Sequence, residues 1–262
     1  RIRHKNLVQL KGWCRDKSRS QLLLVYEYLP NGSLYRSLFK TSSLILNWNK
    51  RFNIICGLGS AIQYLHQECE RVIVHRDIKA SNVLLDTNYK VKLGDFGLAR
   101  QLGEGVEGHT MLPAGTLGYM APETFRTGRA TTMSDVYSYG MVLLEVVCGR
   151  HPGDVSLPGE FEGCLLDWVW DLHSEGRLRE ACDGRLEGEV DEEQMVRTLT
   201  VGLACLHPDL NLRPSIQAAP DALEGRGPLL VLPTSNPAVS PGPASLSSTS
   251  LSWSTSTGTI SS

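Results

Sequence analysis

Two short strings carry the chemistry available to this 262-residue chain. HRDIKASN runs from His75 to Asn82, and LGDFG from Leu93 to Gly97. An aspartate, a lysine, an asparagine and a second aspartate on neighbouring turns are the groups that moving a phosphoryl group requires. Phosphate oxygens are strongly negative, so a divalent metal must neutralise them, and such a metal prefers hard oxygen ligands, carboxylate and amide carbonyl. The acceptor hydroxyl needs an oriented proton acceptor, and a lysine nearby stabilises charge on the group in flight. Asp77 suits the hydroxyl proton, Lys79 the transferring group, and Asn82 and Asp95 magnesium. Gly97, after Phe96, gives Asp95 a flexible turn.

A DFG tripeptide alone is weak evidence. Here His75-Arg76-Asp77 with Asn82 is followed by Asp95-Phe96-Gly97 and then by Ala121-Pro122-Glu123. Three strings in that order and spacing are far more specific than any one. The bland alternative, a polar turn with satisfied hydrogen bonds, explains one string but not the series.

The elements that must position these groups are partly visible. Leu7 to Leu10 and Leu22 to Leu29 read as two strands of a hairpin, with polar Arg15 to Ser20 between them and a turn at Pro30-Asn31-Gly32. From Asn49 apolar residues recur every three or four positions (Ile54, Ile55, Leu58, Ala61, Ile62, Leu65), one face of a helix. Val72 to Val74, Val83 to Leu85 and Val91 to Leu93 read as short strands. Val136 to Val147 is the strongest helix, closed by Gly149 with Pro152 beyond. Leu165 to Leu172 and Met195 to Leu206 follow, with Trp168 expected in the core. From 226 to 262 Pro, Ser, Thr and Gly dominate, which reads as a disordered tail.

Composition is that of a globular protein, 41% hydrophobic and 21% charged. A formal net charge of -2 gives no global case for nucleic acid or a phospholipid surface. The longest apolar run, Val136 to Cys148, carries Glu145 and is too short for a membrane span. Seven dispersed cysteines, none in a CxxC pair, suggest reduced thiols. His66, His151, His173 and His207 form no ligand-like cluster. No secretory signal is visible. The chain opens on Arg1 in mid-pattern, so a fragment is expected.

Residues 1 to about 219 resemble a eukaryotic protein kinase, specifically the plant receptor-like kinases, with wording nearest the legume-lectin group. The resemblance rests on LLLVYEYLPNGSLYRSLF, VIVHRDIKASNVLLD, VKLGDFGLAR, AGTLGYMAPETFRTGRATTMSDVYSYGMVLLEVVCGRHP and CLHPDLNLRPSI. It implies an α+β fold: a remnant small-lobe hairpin over 1–30, a mainly helical large lobe over 31–225 and the tail. It implies ATP and magnesium as cofactors and serine or threonine hydroxyls of proteins as acceptors, with other receptor kinases as further partners. Tyr26 falls at the gatekeeper position. Glu27 to Leu29 falls on the hinge, whose backbone would bond adenine, with Leu84 as the floor beneath it. Lys79 and Thr116 resemble those of serine/threonine kinases, and Thr116 is expected to bond Asp77 and Lys79. Asp135 would bond the backbone of the catalytic loop, Glu123 would pair with Arg213, and Leu10, His75 and Phe96 would stack as an apolar spine. Arg76 would bind a phosphate on the activation segment, with Thr110 the leading phosphosite. The parent would cross the plasma membrane once, with the kinase on the cytoplasmic face.

Two departures from that pattern stand out. The glycine-rich loop, strand lysine and helix glutamate of a complete kinase have no counterpart before Leu7. This predicts weak magnesium-ATP binding by the chain alone, and it keeps open a second reading, a catalytically inactive kinase-like binding module. The other departure is Pro220, directly after Ile216 to Ala219, which is expected to stop the last helix.

Overall fold

A computed structural model describes residues 2–16, 21–40, 45–102, 114–157, 164–186, 190–228 and 230–237. The centre of the molecule is helix α3, Thr132–Cys148, in which every residue from Ser134 onward is buried. Its first turn is closed locally: the Thr131 amide donates to Ser134 Oγ at 3.0 Å, and the Ser134 amide to the Thr131 carbonyl at 3.0 Å. It stops at Gly149, whose φ of 61° falls in the left-handed region. A Cβ there would lie 2.2 Å from Asp183 Oδ2, so glycine is needed for space as well as for φ.

Around α3 pack α1 (Trp48–Gln63), α4 (Leu165–Ser174), α5 (Glu192–Cys205) and, through α1 and α5, α6 (Ala218–Leu223). The apolar stripe read in the sequence is the stripe buried in α1: Ile54, Ile55, Leu58, Ala61 and Ile62. Asn47 caps that helix by accepting the Lys50 amide at 3.1 Å. A π-helical turn, Tyr64–Glu68, then leads towards the site. Short α2 (Pro122–Thr127) begins on a proline in its first turn, where the missing N–H costs nothing.

Among the described residues the strands form three antiparallel pairs: β1 (Leu10–Asp16) with β2 (Gln21–Tyr26), β3 (Ile73–Val74) with β6 (Arg100–Gln101), and β4 (Val83–Leu85) with β5 (Val91–Leu93). The β4–β5 register sets Val83 opposite Leu93 and Leu85 opposite Val91. The first hairpin is joined to this pair by backbone. The Val8 amide donates to the Leu93 carbonyl at 2.9 Å, and the Leu93 amide to the Asn6 carbonyl at 2.8 Å. This helical body with small sheets is the α+β architecture expected.

Three details depart from expectation. The first strand is not Leu7 to Leu10 but starts at Leu10 and runs through the polar Arg15. All six residues of β2 are exposed, so this hairpin buries neither face and leaves no alternation to mark its bounds. Pro220 does not stop the last helix: it is the third residue of α6, within the first turn, whose amides have no intrahelical partner in any case. Trp168 packs on the core as expected, half-buried beneath the Arg150 guanidinium, 5.2 Å from its ring centre, and Trp170 beside it is fully buried. The start of the tail is not loose, since Leu230 and Leu232 pack on the core and Asn236 Nδ2 donates to Asp167 Oδ1 at 3.0 Å.

Leu10, Trp13, Leu22, Leu23, Leu24, Val25, Tyr26 and Tyr28 leave the hairpin region apolar and open to water. Such a surface with open strand edges associates. Expressed alone, the chain is expected to self-associate in size-exclusion chromatography, and lysines at Leu22 and Leu24 to reduce it. A single monomer peak with cooperative melting contradicts this.

Candidate active site

The loop between β3 and β4 holds Arg76 at φ 73°, a conformation that side chains rarely adopt. Asp135, near the start of α3 and almost fully buried, sustains it. Its Oδ2 accepts the His75 amide at 2.8 Å and its Oδ1 the Arg76 amide at 2.9 Å. His66, from the π-helical turn after α1, brings Nε2 to 2.9 Å from Asp135 Oδ2. The His75 ring is pinned on both nitrogens: Nδ1 faces the Asp77 amide at 3.3 Å and Nε2 the Gly94 carbonyl at 3.0 Å. An amide needs an acceptor and a carbonyl a donor, so the proton sits on Nε2. Burial lowers the His75 pKa, against the nearby carboxylates, and keeps the ring neutral.

Asp77 lies at the centre of the site. Its Oδ1 accepts Thr116 Oγ1–H at 2.7 Å, and its Oδ2 faces Lys79 Nζ at 2.8 Å and Asn82 Nδ2 at 2.9 Å. Lys79 Nζ also donates to Thr116 Oγ1 at 2.8 Å. Burial alone would raise the Asp77 pKa, but the Lys79, Thr116 and Asn82 donors outweigh it and hold the carboxyl below the ordinary carboxylate range. A proton acceptor that is ionised and oriented is the result.

Asp95 sits on the adjoining turn at φ 58°, exposed, with its carboxylate accepting the Gly97 amide at 3.3 Å. The Gly94 amide donates to the Asn82 carbonyl at 2.9 Å and so holds the two turns together. A Cβ on Gly94 would meet Val8 Cγ2 at 2.9 Å, so glycine lets the segment before β1 lie close against this turn. One carboxylate and one amide oxygen are the hard donors that magnesium accepts when waters and phosphate oxygens complete its shell. Among the described residues no group of three or more His, Cys, Asp or Glu could hold a metal by itself.

Just after β2, Glu27 is anchored by side chain and backbone. Its Oε1 accepts the Gln9 amide at 2.7 Å and pairs with Lys92 Nζ at 2.8 Å, while its own amide donates to the Gln9 carbonyl at 3.0 Å. Leu29 is buried and Leu84, half-buried, approaches Gly94. Tyr26, Leu10 and Phe96 line one open cleft of about 500 Å³, with Leu7, Val8 and Trp13. The His75 and Phe96 rings meet edge-on at 5.0 Å, but Leu10 remains 42% exposed. Of the expected stack, the His75–Phe96 contact is present, and Leu10 shares a cleft with Phe96 without being buried.

Farther out, Arg213 Nη1 and Nη2 each lie 2.7 Å from a carboxylate oxygen of Glu123. The guanidinium also donates to the carbonyls of His207 and Met133 and lies 5.0 Å from the Tyr137 ring. Thr110 lies outside the described residues. Several side chains escaped the sequence reading. His66, in the sequence only one of four histidines outside any ligand-like cluster, meets Asp135. Arg51, on the apolar face of α1, is buried against Asp183 at 2.6 Å and the Val146 carbonyl at 2.7 Å. Glu145 accepts Tyr119 O–H at 2.6 Å. The available signal was a lone charged residue inside an apolar helical pattern, which must have a distant partner.

The protein kinase domain family matches residues 1–220. The chain belongs to the protein kinase family. It is 54% identical over 219 residues to the probable L-type lectin-domain containing receptor kinase S.7 of Arabidopsis thaliana, covering 82% of this chain and 32% of that protein. Identity is 47% over 244 residues to L-type lectin-domain containing receptor kinase VIII.1 of the same plant, covering 91% and 34%. Against L-type lectin-domain containing receptor kinase S.7 of Oryza sativa subsp. japonica it is 46% over 236 residues, covering 90% and 33%. This kinase domain thus spans about a third of the length of the curated relatives it matches, and the resemblance to lectin-type receptor kinases stands. Among the described residues no helix is long and apolar enough to cross a membrane.

Two outcomes follow from this geometry. Glu123→Ala leaves a buried guanidinium unpaired and is expected to cost about 3–5 kcal/mol in urea unfolding; a loss below about 1 kcal/mol contradicts it. Burial pushes the Glu145 carboxyl from 4.5 up to about 8. An acid that binds its proton more tightly when folded loses stability as pH rises from its unfolded to its folded pKa. Stability of the wild type relative to Glu145→Gln should therefore fall between pH 4.5 and about 8, read from paired urea melts. A difference that is flat across that window contradicts the assignment.

Proposed function

We propose that this domain transfers the γ-phosphoryl group of ATP to serine and threonine hydroxyls of proteins. The convergence of Thr116, Lys79 and Asn82 on the Asp77 carboxylate carries this reading. In it Asp77 orients the acceptor hydroxyl and takes its proton, while Lys79 faces the transferring group. Asn82 commits its nitrogen to Asp77 and would turn its oxygen, with Asp95, towards magnesium. The bound metal would supply charge neutralisation at the phosphates. The Glu27 amide is used by Gln9, so the Glu27 carbonyl and the Leu29 backbone are the groups that would meet adenine, above Leu84. The Thr116–Lys79 contact supports serine and threonine rather than tyrosine as acceptors.

Arg76 would hold a phosphorylated activation segment, with Thr110 the candidate acceptor. The relatives' printed names, receptor kinases, support a receptor; in this reading its kinase would face the cytoplasm from the plasma membrane, with other receptor kinases as partners. The open cleft at Tyr26 and Phe96 favours the second reading, an inactive binding module, if nucleotide binds weakly.

In the full-length protein, Asp77→Asn should lower phosphate transfer to serine or threonine peptides about 10²–10⁴-fold, with nucleotide affinity kept. Equal transfer by wild type and variant overturns the role of Asp77. No magnesium-ATP binding by the full-length wild type favours the binding module.

A further inference from the structure

Composition from 226 onward reads as a loose tail, but residues 226–228 and 230–237 take a defined path across the helical body. The path begins where α6 ends. Gly225 has φ 72°, and the Arg226 amide closes back on the Asp221 carbonyl at 2.8 Å, the left-handed stop that reverses a chain after a helix. Gly227 then passes so close to α6 that a Cβ there would lie 3.2 Å from the Ala222 amide nitrogen. Farther on the side chains alternate, as along an extended chain. Leu230 and Leu232 pack on the core, while Val231 between them is 93% exposed. Two hydrogen bonds to α4 finish the path. His173 Nε2 donates to the Pro233 carbonyl at 3.1 Å, and Asn236 Nδ2 to Asp167 Oδ1 at 3.0 Å.

We infer that this segment is a detachable strap: it docks in cis on the face made by α4 and α5, and while docked it sets the position of α4. The hold is light. A cavity of about 160 Å³ remains beneath the strap, between Thr200 and Val201 of α5 and its own Pro228 and Leu230, where a permanent core contact would be filled. Leu230 and Leu232 are only half-buried, and the bond from His173 is exposed. A segment with few buried apolar contacts and open hydrogen bonds lifts off before the body unfolds. The helix beneath depends on it, because α4 packs more on the 3-10 turn Leu178–Ala181 than on α3. Asp167 lies in the first turn of α4, where Cys164 Sγ–H also donates to it at 2.7 Å, and the Leu165 amide donates to the Pro152 carbonyl at 3.2 Å. His151, next to Pro152, meets the Tyr35 ring edge-on at 5.7 Å, and the Tyr35 amide donates to the Ala80 carbonyl at 3.0 Å. A displacement of α4 thus reaches the loop that carries Asp77 and Lys79, by a route that bypasses Glu27, Leu29 and Leu84. The kinetic consequence rests on the kinase reading above; the docking does not.

The test uses the full-length protein in three forms besides the wild type. Leu230→Asp with Leu232→Asp lifts the strap, Asn236→Ala is a milder release that should fold even if the double variant does not, and Val231→Asp is the control on the outward side. Amide hydrogen exchange over residues 164–174 is expected to quicken about threefold or more in the first two, with α3 protection unchanged, and to keep the wild-type rate in Val231→Asp. Equal exchange in all four proteins, or the same rise in Val231→Asp, overturns the strap. A synthetic peptide of residues 226–237, added to the double variant at about 1 mM, the effective concentration of a short tether, should bind and slow the exchange again. A peptide that neither binds nor protects overturns the docking. In phosphate transfer both release variants should lower peptide kcat/KM about three- to tenfold, with the nucleotide KM within about twofold. Wild-type peptide kinetics in both overturns the link from α4 to the loop. Absence of transfer by the wild type sinks the kinase reading instead, and the exchange and peptide measurements still decide the strap.

Discussion

Asp135 takes two backbone amides and a histidine while lying almost entirely out of water. The loop between β3 and β4 needs this because Arg76 is held at φ 73°, where a side chain is strained, and such a conformation persists only if its surroundings over-determine it. Once the loop is held, Asp77, Lys79 and Asn82 have fixed positions, and His75 can bridge to Gly94 on the neighbouring turn. A carboxylate can do this only from a rigid platform. The helix that carries it is buried from Ser134 to Cys148 and packs on α1, α4 and α5. The bulk of the helical body is thus the support for one aspartate and the loop it braces.

The electrostatics follow the same order. Asp77 is ionised because three donors outweigh its burial, Glu145 has its pKa raised because burial meets a single hydroxyl, and His75 is neutral because burial outweighs the carboxylates near it. Three titratable groups in one region are set differently by how many donors each meets, not by depth alone. The Glu123–Arg213 pair shows the other solution, in which both charges stay buried and each is saturated by bonds.

Much of this was readable in the chain. Asp77, Lys79, Asn82 and Asp95 stand out because their types and spacing are local, and the α1 and α3 faces because helical periodicity is local. What escaped depends on distance. Nothing near Arg51 announces Asp183, 132 positions on, and nothing near Glu145 announces Tyr119. His66 lies in an apolar stretch where its ring could equally be filler. The hairpin bounds were misplaced for a different reason: a strand pair that buries neither face has no alternation to read. Pro220 misled because a proline rule for helix interiors does not hold in the first turn.

The seam between the hairpin and β5 has a mechanical consequence. Asn6 and Val8 grip Leu93 through its amide and its carbonyl, and only Gly94 separates Leu93 from Asp95. Gly94 has no side chain to absorb a displacement and lies against Val8. The hairpin and the Asp95 turn are therefore geared to each other: a tilt of the exposed strands is passed on to the carboxylate over a lever arm of two peptide units.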